Sequence, residues 1–117
     1  MKYKSTVTGI GESVAEFMDG GFIIIFNNNA PQEMADLSVL HTIEKLSQDV
    51  QVGDTFAISG KQYTVTAVGN EANYTLREMG HCTLKFDGSD SAELPGHIEL
   101  RGDGVPKVQV GDTIEIL

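Results

Sequence analysis

The sequence has little of what secreted or membrane-spanning proteins require. It contains one cysteine, Cys82, in 117 residues, so no internal disulfide can form. The longest apolar run, Phe22–Phe26, has the length of a strand, whereas a membrane-spanning helix needs about 20 apolar residues. The first residues lead into no apolar segment of the signal-peptide type. Together these features predict a cytoplasmic protein.

Basic residues are also scarce. The chain has 8 lysines and arginines against 17 acidic residues, and its net charge is -9. Nucleic acids and anionic membranes both need a basic face, so both classes of partner are disfavoured. An acidic surface instead suits a basic protein partner. The 40% of apolar and 21% of charged residues are typical of one folded domain with one core.

An internal repeat organises the chain. The hexapeptide Val50–Thr55 recurs letter for letter as Val108–Thr113. The two copies are 58 residues apart, and the same separation relates Thr6–Thr8 to Thr64–Thr66. We therefore predict a tandem duplication, 1–59 and 60–117, whose halves share one core in a single domain, 1–117. Alternatively, Val-x-Val-Gly-Asp is a common strand–turn–strand phrase that this chain uses twice.

Short strands with regular turn punctuation dominate both halves. Alternating Thr-, Val- and Tyr-rich segments predict strands at Tyr3–Ile10, Phe22–Phe26, Phe56–Ile58, Gln62–Val68, Cys82–Phe86, Pro95–Leu100 and Ile114–Ile116. Short helices are predicted at Glu12–Met18 and at Glu71–Met79, with Asn70 as N-cap and Gly80 ending the second. Met34–Leu46 fits a helical turn followed by a strand. The pattern predicts a mainly β fold: a small closed or partly open β-barrel of two duplicated, pseudo-two-fold halves, with two or three short helices.

The chain contains few motifs that indicate chemistry. It has no glycine-rich phosphate loop and no Cys-x-x-Cys pair, and its three histidines do not have the spacing of a local zinc motif. Cys82 is predicted to be a small buried hydrophobe. His41 lies on an apolar strand face, which fits either a core histidine or a reactive one. His81 follows a predicted helix end, where it either caps the helix or lies at a barrel mouth. His97 is predicted to lie on the surface.

Three blocks of the second half resemble a known family. They are Val65–Gly69, Leu76–Gly88 and Ala92–Gly96, and the middle block reads Leu-Arg-Glu-Met-Gly-His-Cys-Thr-Leu-Lys-Phe-Asp-Gly. Thr8–Gly11 and the Ala30–Pro31 loop leading to His41 extend the resemblance over essentially the whole chain. The family is the enzyme IIA component of the glucitol/sorbitol-specific phosphotransferase system.

This resemblance implies a phosphoryl carrier. In the family, a histidine accepts a phosphoryl group from the phosphocarrier protein HPr and passes it to a cysteine on the IIB domain of the membrane glucitol permease. The matching position is His41. His81 matches a second histidine, which we expect to hydrogen-bond the phosphoryl oxygens or to orient the His41 imidazole. No cofactor or metal is implied.

The residues around His41 offer partners for such chemistry. A backbone carbonyl, Glu44 or His81 are the candidates to fix the imidazole tautomer. Arg77, Lys85 or backbone N–H groups are the candidates to offset the phosphoryl charge. An apolar docking patch is predicted from Val39, Leu40 and Ile43.

Two other functions remain open. The first is a binding module, in which the duplicated barrel holds a ligand or protein and performs no chemistry. The second is a regulatory relative that has lost phosphoryl transfer, because Thr42–Glu44 departs from the family pattern.

Overall fold

The computed structural model describes all residues, 1–117, and contains eight strands and three short helices. The elements in chain order are β1 (Tyr3–Ile10), α1 (Val14–Asp19), β2 (Phe22–Asn27), α2 (Gln32–Ala35), β3 (Val39–His41), β4 (Thr55–Ile58), β5 (Lys61–Val68), α3 (Ala72–Met79), β6 (Cys82–Lys85), β7 (His97–Arg101) and β8 (Thr113–Ile116). None of the helices has the length and apolar character needed to span a bilayer.

The eight strands form a closed barrel in the order β1-β3-β2-β6-β7-β5-β4-β8, as the strand pattern predicts. Neighbouring strands are antiparallel except for β2–β3 and β6–β7, which are parallel. If β1, β2, β3 and β4 are exchanged with β5, β6, β7 and β8 respectively, the order of strands around the barrel is the same, read in the opposite direction. The topology therefore has a pseudo-two-fold axis, which supports the proposed duplication, and closure leaves no unpaired strand edge.

Each half has one glycine, Gly11 or Gly69, at an equivalent point where two backbone segments pass very close to each other. The Gly11 N–H donates to the Ser38 carbonyl at 2.9 Å, and the Gly69 N–H donates to the His97 carbonyl at 2.8 Å. A Cβ at either glycine would run into the backbone carbonyls of the segment that precedes β3 or β7. Only glycine therefore allows the end of β1 or β5 to approach that segment so closely.

The core fills the barrel interior with the inward-facing residues of every strand. On β5, for example, Tyr63, Val65 and Ala67 are buried while the residues between them are partly exposed. Cys82 is buried in the same cluster, as predicted. Burying side chains of this size contributes roughly 1.5–3 kcal/mol each, so the barrel interior is the main source of stability.

Local details differ from the sequence expectations at the helix ends. Helix α1 begins at Val14 instead of Glu12. Glu71, not Asn70, occupies the N-cap of α3, and it makes no side-chain cap hydrogen bond. Gly80 ends α3 as predicted, with the left-handed φ of 61° that favours glycine.

Substituting Gly69 tests the close crossing. Gly69→Ala should lower the free energy of unfolding by at least ~2 kcal/mol, because the new Cβ meets backbone that cannot move aside cheaply. Gly96→Ala is the matched control, since a Cβ there meets nothing within 4 Å. Urea denaturation of both variants measures the difference. Equal midpoints for the two variants would contradict the packing described.

Candidate functional site

His41 is the last residue of β3, and its side chain points into one end of the barrel, where it is completely buried. In the sheet it is the register partner of Val7 on β1 and of Asn27 on β2. The strand alternation that buries Val39 therefore also buries His41, as their shared apolar face predicts.

Both ring nitrogens of His41 face backbone carbonyls. Nε2 lies 2.8 Å from the Gly80 oxygen, and Nδ1 lies 2.9 Å from the Thr42 oxygen. The Tyr3 hydroxyl is 3.5 Å from Nδ1. A neutral imidazole has one N–H, so it donates to only one of these carbonyls at a time. Backbone carbonyls are thus the ring's partners, and neither Glu44 nor His81 hydrogen-bonds it.

The barrel interior beside His41 carries no charge near neutral pH. Burial raises the pKa of the Cys82 thiol to about 12, so the thiol stays protonated. Burial holds the pKa of the Tyr3 phenol well above its usual value of 10.0, so the phenol also stays protonated. A group that forms on His41 would therefore lie against neutral, dry surroundings, where its interactions with nearby dipoles are strengthened.

His81 lies at the same end of the barrel, but its ring is oriented differently. Its Nδ1 lies 3.0 Å from the Ile25 carbonyl, and the ring packs at 4.7 Å on Phe26. Donation from Nδ1 to that carbonyl leaves Nε2 as the nitrogen with the lone pair. No hydrogen bond joins the two histidine rings; they are linked through the Gly80 peptide. A role for His81 toward a phosphoryl group stays a prediction.

Two residues at this site were not identified as site residues from the sequence. An added Cβ on Gly80 would lie 2.7 Å from Cε1 of His41 and would overlap the side-chain oxygen of Asn27. Asn27 is only 6% exposed, and its side-chain oxygen has no hydrogen-bond partner. The sequence predicted Gly80 only as a helix end, and Asn27 lies directly after the predicted strand Phe22–Phe26. Asn27 lies at this site because β2 and β3 pair in parallel, and no local sequence pattern predicts that pairing.

The cationic side chains proposed to offset a phosphoryl charge are engaged elsewhere. Arg77 pairs with Asp49, and Lys85 lies 3.8 Å from Glu93. Neither cation contacts His41. Of the three candidate charge partners, backbone N–H groups alone stay a prediction.

The predicted apolar docking patch is only partly on the surface. Val39 is a core residue, because it faces the barrel interior, so its assignment to the patch was wrong. Leu40 is partly buried, and Ile43 is 56% exposed.

A second cluster of polar side chains lies on the outer face of β7. The prediction that His97 is a surface residue was wrong, because the loop 86–96 covers it and leaves it 8% exposed. Thr66 fastens this loop by donating its hydroxyl to the Ser89 carbonyl at 2.7 Å. Burial and the nearby Lys85 lower the pKa of His97, so its ring is neutral under the loop.

Glu99 lies under the same loop and is 1% exposed. Burial, and then its hydrogen bond with Asp87, raise the pKa of the Glu99 carboxyl to about 7. The same hydrogen bond lowers the pKa of Asp87. The described residues include no group of three or more possible metal ligands, here or at His41.

Glu99 makes the stability of the fold depend on pH. A carboxyl whose folded-state pKa is raised stabilises the fold below its ordinary pKa of 4.5, and this stability is lost as the pH rises through about 7. Glu99→Gln removes that loss. Relative to the variant, the wild-type free energy of unfolding should fall by up to ~3 kcal/mol between pH 5 and pH 8. Urea denaturation across this range measures it, with the exposed Glu12→Gln as the control. A wild type and a Glu99→Gln variant with parallel pH profiles would contradict the assignment.

The chain matches known proteins over nearly its full length. A family model described as "PTS system glucitol/sorbitol-specific IIA component" matches residues 2–115. The glucitol/sorbitol-specific EIIA components of Shigella flexneri and of Escherichia coli (strain K12) are each 33% identical over 113 residues, which cover 97% of this chain and 92% of theirs. The crystal structure of a PTS system IIA component from Enterococcus faecalis V583 has a TM-score of 0.87 and 29% identity, covering 98% of this chain and 99% of that one. The chain therefore belongs to the family of glucitol/sorbitol-specific IIA components of the phosphotransferase system, as the resemblance predicted.

Proposed function

We propose that this protein is a phosphoryl carrier, the IIA phosphotransferase component, which works through a phosphohistidine at His41. It accepts the phosphoryl group from phospho-HPr and passes it to the cysteine of the IIB domain of a glucitol/sorbitol permease during sugar uptake. The observation that carries this proposal is the His41 ring itself. The family-matching histidine lies at one end of the barrel with each ring nitrogen against a fixed dipole and no charge beside it.

The hydrogen bonds around Thr42 favour Nε2 as the reacting nitrogen. The Thr42 N–H donates to the Thr6 carbonyl at 2.9 Å, and the Thr6 N–H donates to the Thr42 hydroxyl at 3.0 Å. The Thr42 carbonyl is therefore held in place as an acceptor, and in the proposed tautomer the ring proton lies on Nδ1 and is donated to it. Nε2 is then left with the lone pair that attacks phosphorus.

The transfer balances without a metal or cofactor. The Nε2 lone pair forms the new N–P bond as the bond between phosphorus and the donor histidine breaks, and those electrons return to the donor's imidazole. In the second step the IIB thiolate attacks phosphorus, and the electrons of the N–P bond return to Nε2. The Nδ1 proton stays on His41 throughout, donated to the Thr42 carbonyl.

Transfer requires the site to open. His41 is completely buried, and the Gly80 oxygen lies 2.8 Å from Nε2, where phosphorus must bond. The Gly80 carbonyl must therefore move when the donor protein docks. Glycine at the α3–β6 junction permits this motion, because its backbone reaches conformations closed to other residues.

The surface that flanks this opening suits a basic partner with an apolar centre. Ile43 follows the site in sequence and is 56% exposed, and Met79 precedes Gly80 and is 37% exposed. Exposed Glu44 and Glu78 stand next to these two apolar residues. Acidic residues around an apolar contact favour association with a basic face, which is the property expected here of HPr. The cytoplasmic location stays a prediction.

A non-catalytic binding or regulatory module is the second candidate. The full burial of His41 favours it, since a core histidine held by backbone carbonyls has the same contacts. Family membership favours the carrier.

Intact-protein mass separates the two candidates. Wild-type protein incubated with phosphoenolpyruvate, enzyme I and HPr, and kept alkaline, should gain one phosphoryl group. His41→Gln should gain none, because glutamine has no nucleophilic nitrogen. His97→Gln, which removes a buried histidine elsewhere, is the matched control and should behave as wild type.

The other outcomes point to specific errors. A gain that persists in His41→Gln and disappears in His81→Gln would move the carrier site to His81. If wild-type protein gains nothing, the binding-module reading replaces the carrier.

A further inference from the structure

We propose that the Asn27 carboxamide binds the phosphoryl group carried by His41, donating an N–H to one of its oxygens. The inference rests on the proposed function, since it concerns the phosphorylated state of the same site. It assigns part of the phosphoryl binding to a neutral side chain from a different strand.

Asn27 is fixed beside His41 by the barrel. It is the last residue of β2 and the register partner of His41 in the parallel β2–β3 pair. The next backbone N–H, of Asn28, donates to the His41 carbonyl at 2.8 Å and keeps the two strand ends together. Because this pairing is a backbone feature, the Asn27 side chain cannot move far from the histidine.

The amide and the ring meet at one point next to Gly80. The position of a Cβ on Gly80 would be 2.7 Å from Cε1 of His41, and the Asn27 side-chain oxygen lies closer still to that position. Cε1 is bonded to Nε2, and Nε2 is the nitrogen that faces the Gly80 carbonyl. The Asn27 amide therefore lies near Cε1, the ring carbon next to the nitrogen on which the N–P bond would form.

The unphosphorylated protein leaves the Asn27 side-chain oxygen without a partner. The residue is 94% buried, since it is 6% exposed, yet its side-chain oxygen makes no hydrogen bond. An unsatisfied buried polar group costs about 1–3 kcal/mol, so a natural protein keeps one where something uses it. Rotation of the amide by half a turn exchanges its oxygen and its NH₂, so the same position can present a donor to an anion.

The charges of the site favour a neutral donor of this kind. The phosphoryl group adds close to two negative charges to a chain whose net charge is already -9. Arg77 and Lys85 are paired with carboxylates and do not contact His41. An amide N–H binds the phosphoryl oxygen without supplying or accepting a proton, so the transfer step keeps the balance given above.

The test compares the rate of phosphoryl uptake with stability. We expect Asn27→Ala to slow transfer from phospho-HPr by ~100–1000-fold, the range seen when one donor to a developing anion is lost. Its free energy of unfolding should stay equal to that of wild type or rise, because the deleted amide has no partner to lose. Quenched-flow transfer of labelled phosphate and urea denaturation give the two readouts.

Two further variants separate the loss of the amide donor from other effects of the substitution. Asn27→Asp has the same shape but replaces the NH₂ donor with a carboxylate, so it should slow uptake more than alanine does. Asn29→Ala makes the matched change two residues away on the exposed loop and should leave the rate unchanged.

Each outcome decides the inference. Wild-type rates in Asn27→Ala or Asn27→Asp overturn it while leaving the carrier function intact. A slow Asn27→Ala that is also less stable than wild type overturns it in favour of a structural role. A wild-type protein that accepts no phosphoryl group, with HPr shown to be phosphorylated, overturns the carrier function and this inference together.

Discussion

The contact between the His41 ring and the Gly80 carbonyl is the one on which the site depends. His41 comes from the first half of the chain and Gly80 from the second, and Nε2 lies 2.8 Å from the carbonyl oxygen. The two halves meet where β2 pairs with β6, among other places, so the His41 end of the barrel forms only when the barrel closes. A single half would leave His41 without this carbonyl and without the buried Cys82.

The two halves share a topology but differ in their polar chemistry. In the first half, β3 turns a histidine toward the barrel interior. In the corresponding strand β7, the inward residues Ile98 and Leu100 are apolar, and the polar residues His97 and Glu99 face outward under a covering loop. The fold is therefore symmetric in its backbone, while the proposed chemistry exists at one end only. The close backbone approaches at Gly11 and Gly69 are part of the backbone structure that the two halves have in common.

Burial gives this site its main advantage and also limits it. In the proposed mechanism, the dry surroundings and a ring proton donated from Nδ1 to the Thr42 carbonyl reduce the reorganisation needed in the transfer. The same burial closes Nε2 against the Gly80 oxygen. The proposed transfer therefore requires a local motion, and glycine at the α3–β6 junction is the position where the backbone resists such motion least.

Local patterns predicted the parts of the fold that local physics decides. The alternation of Tyr3–Ile10 gives the bounds of β1, and the size and chemistry of Cys82 predict its burial. Burial of His97 was missed because the loop that covers it is placed by tertiary packing, not by its own sequence. Asn27 was missed for a related reason: the parallel pairing that brings it to His41 is a property of the whole barrel. The family resemblance supplied His41 as the candidate, and only the structure supplied its partners.

The most direct test of the account is the nitrogen that carries phosphorus. Protein labelled with ¹⁵N-histidine and phosphorylated through HPr should show ³¹P–¹⁵N coupling to Nε2 of His41, with the ring proton on Nδ1. Coupling to Nδ1 of His41, or to either nitrogen of His81, would contradict it.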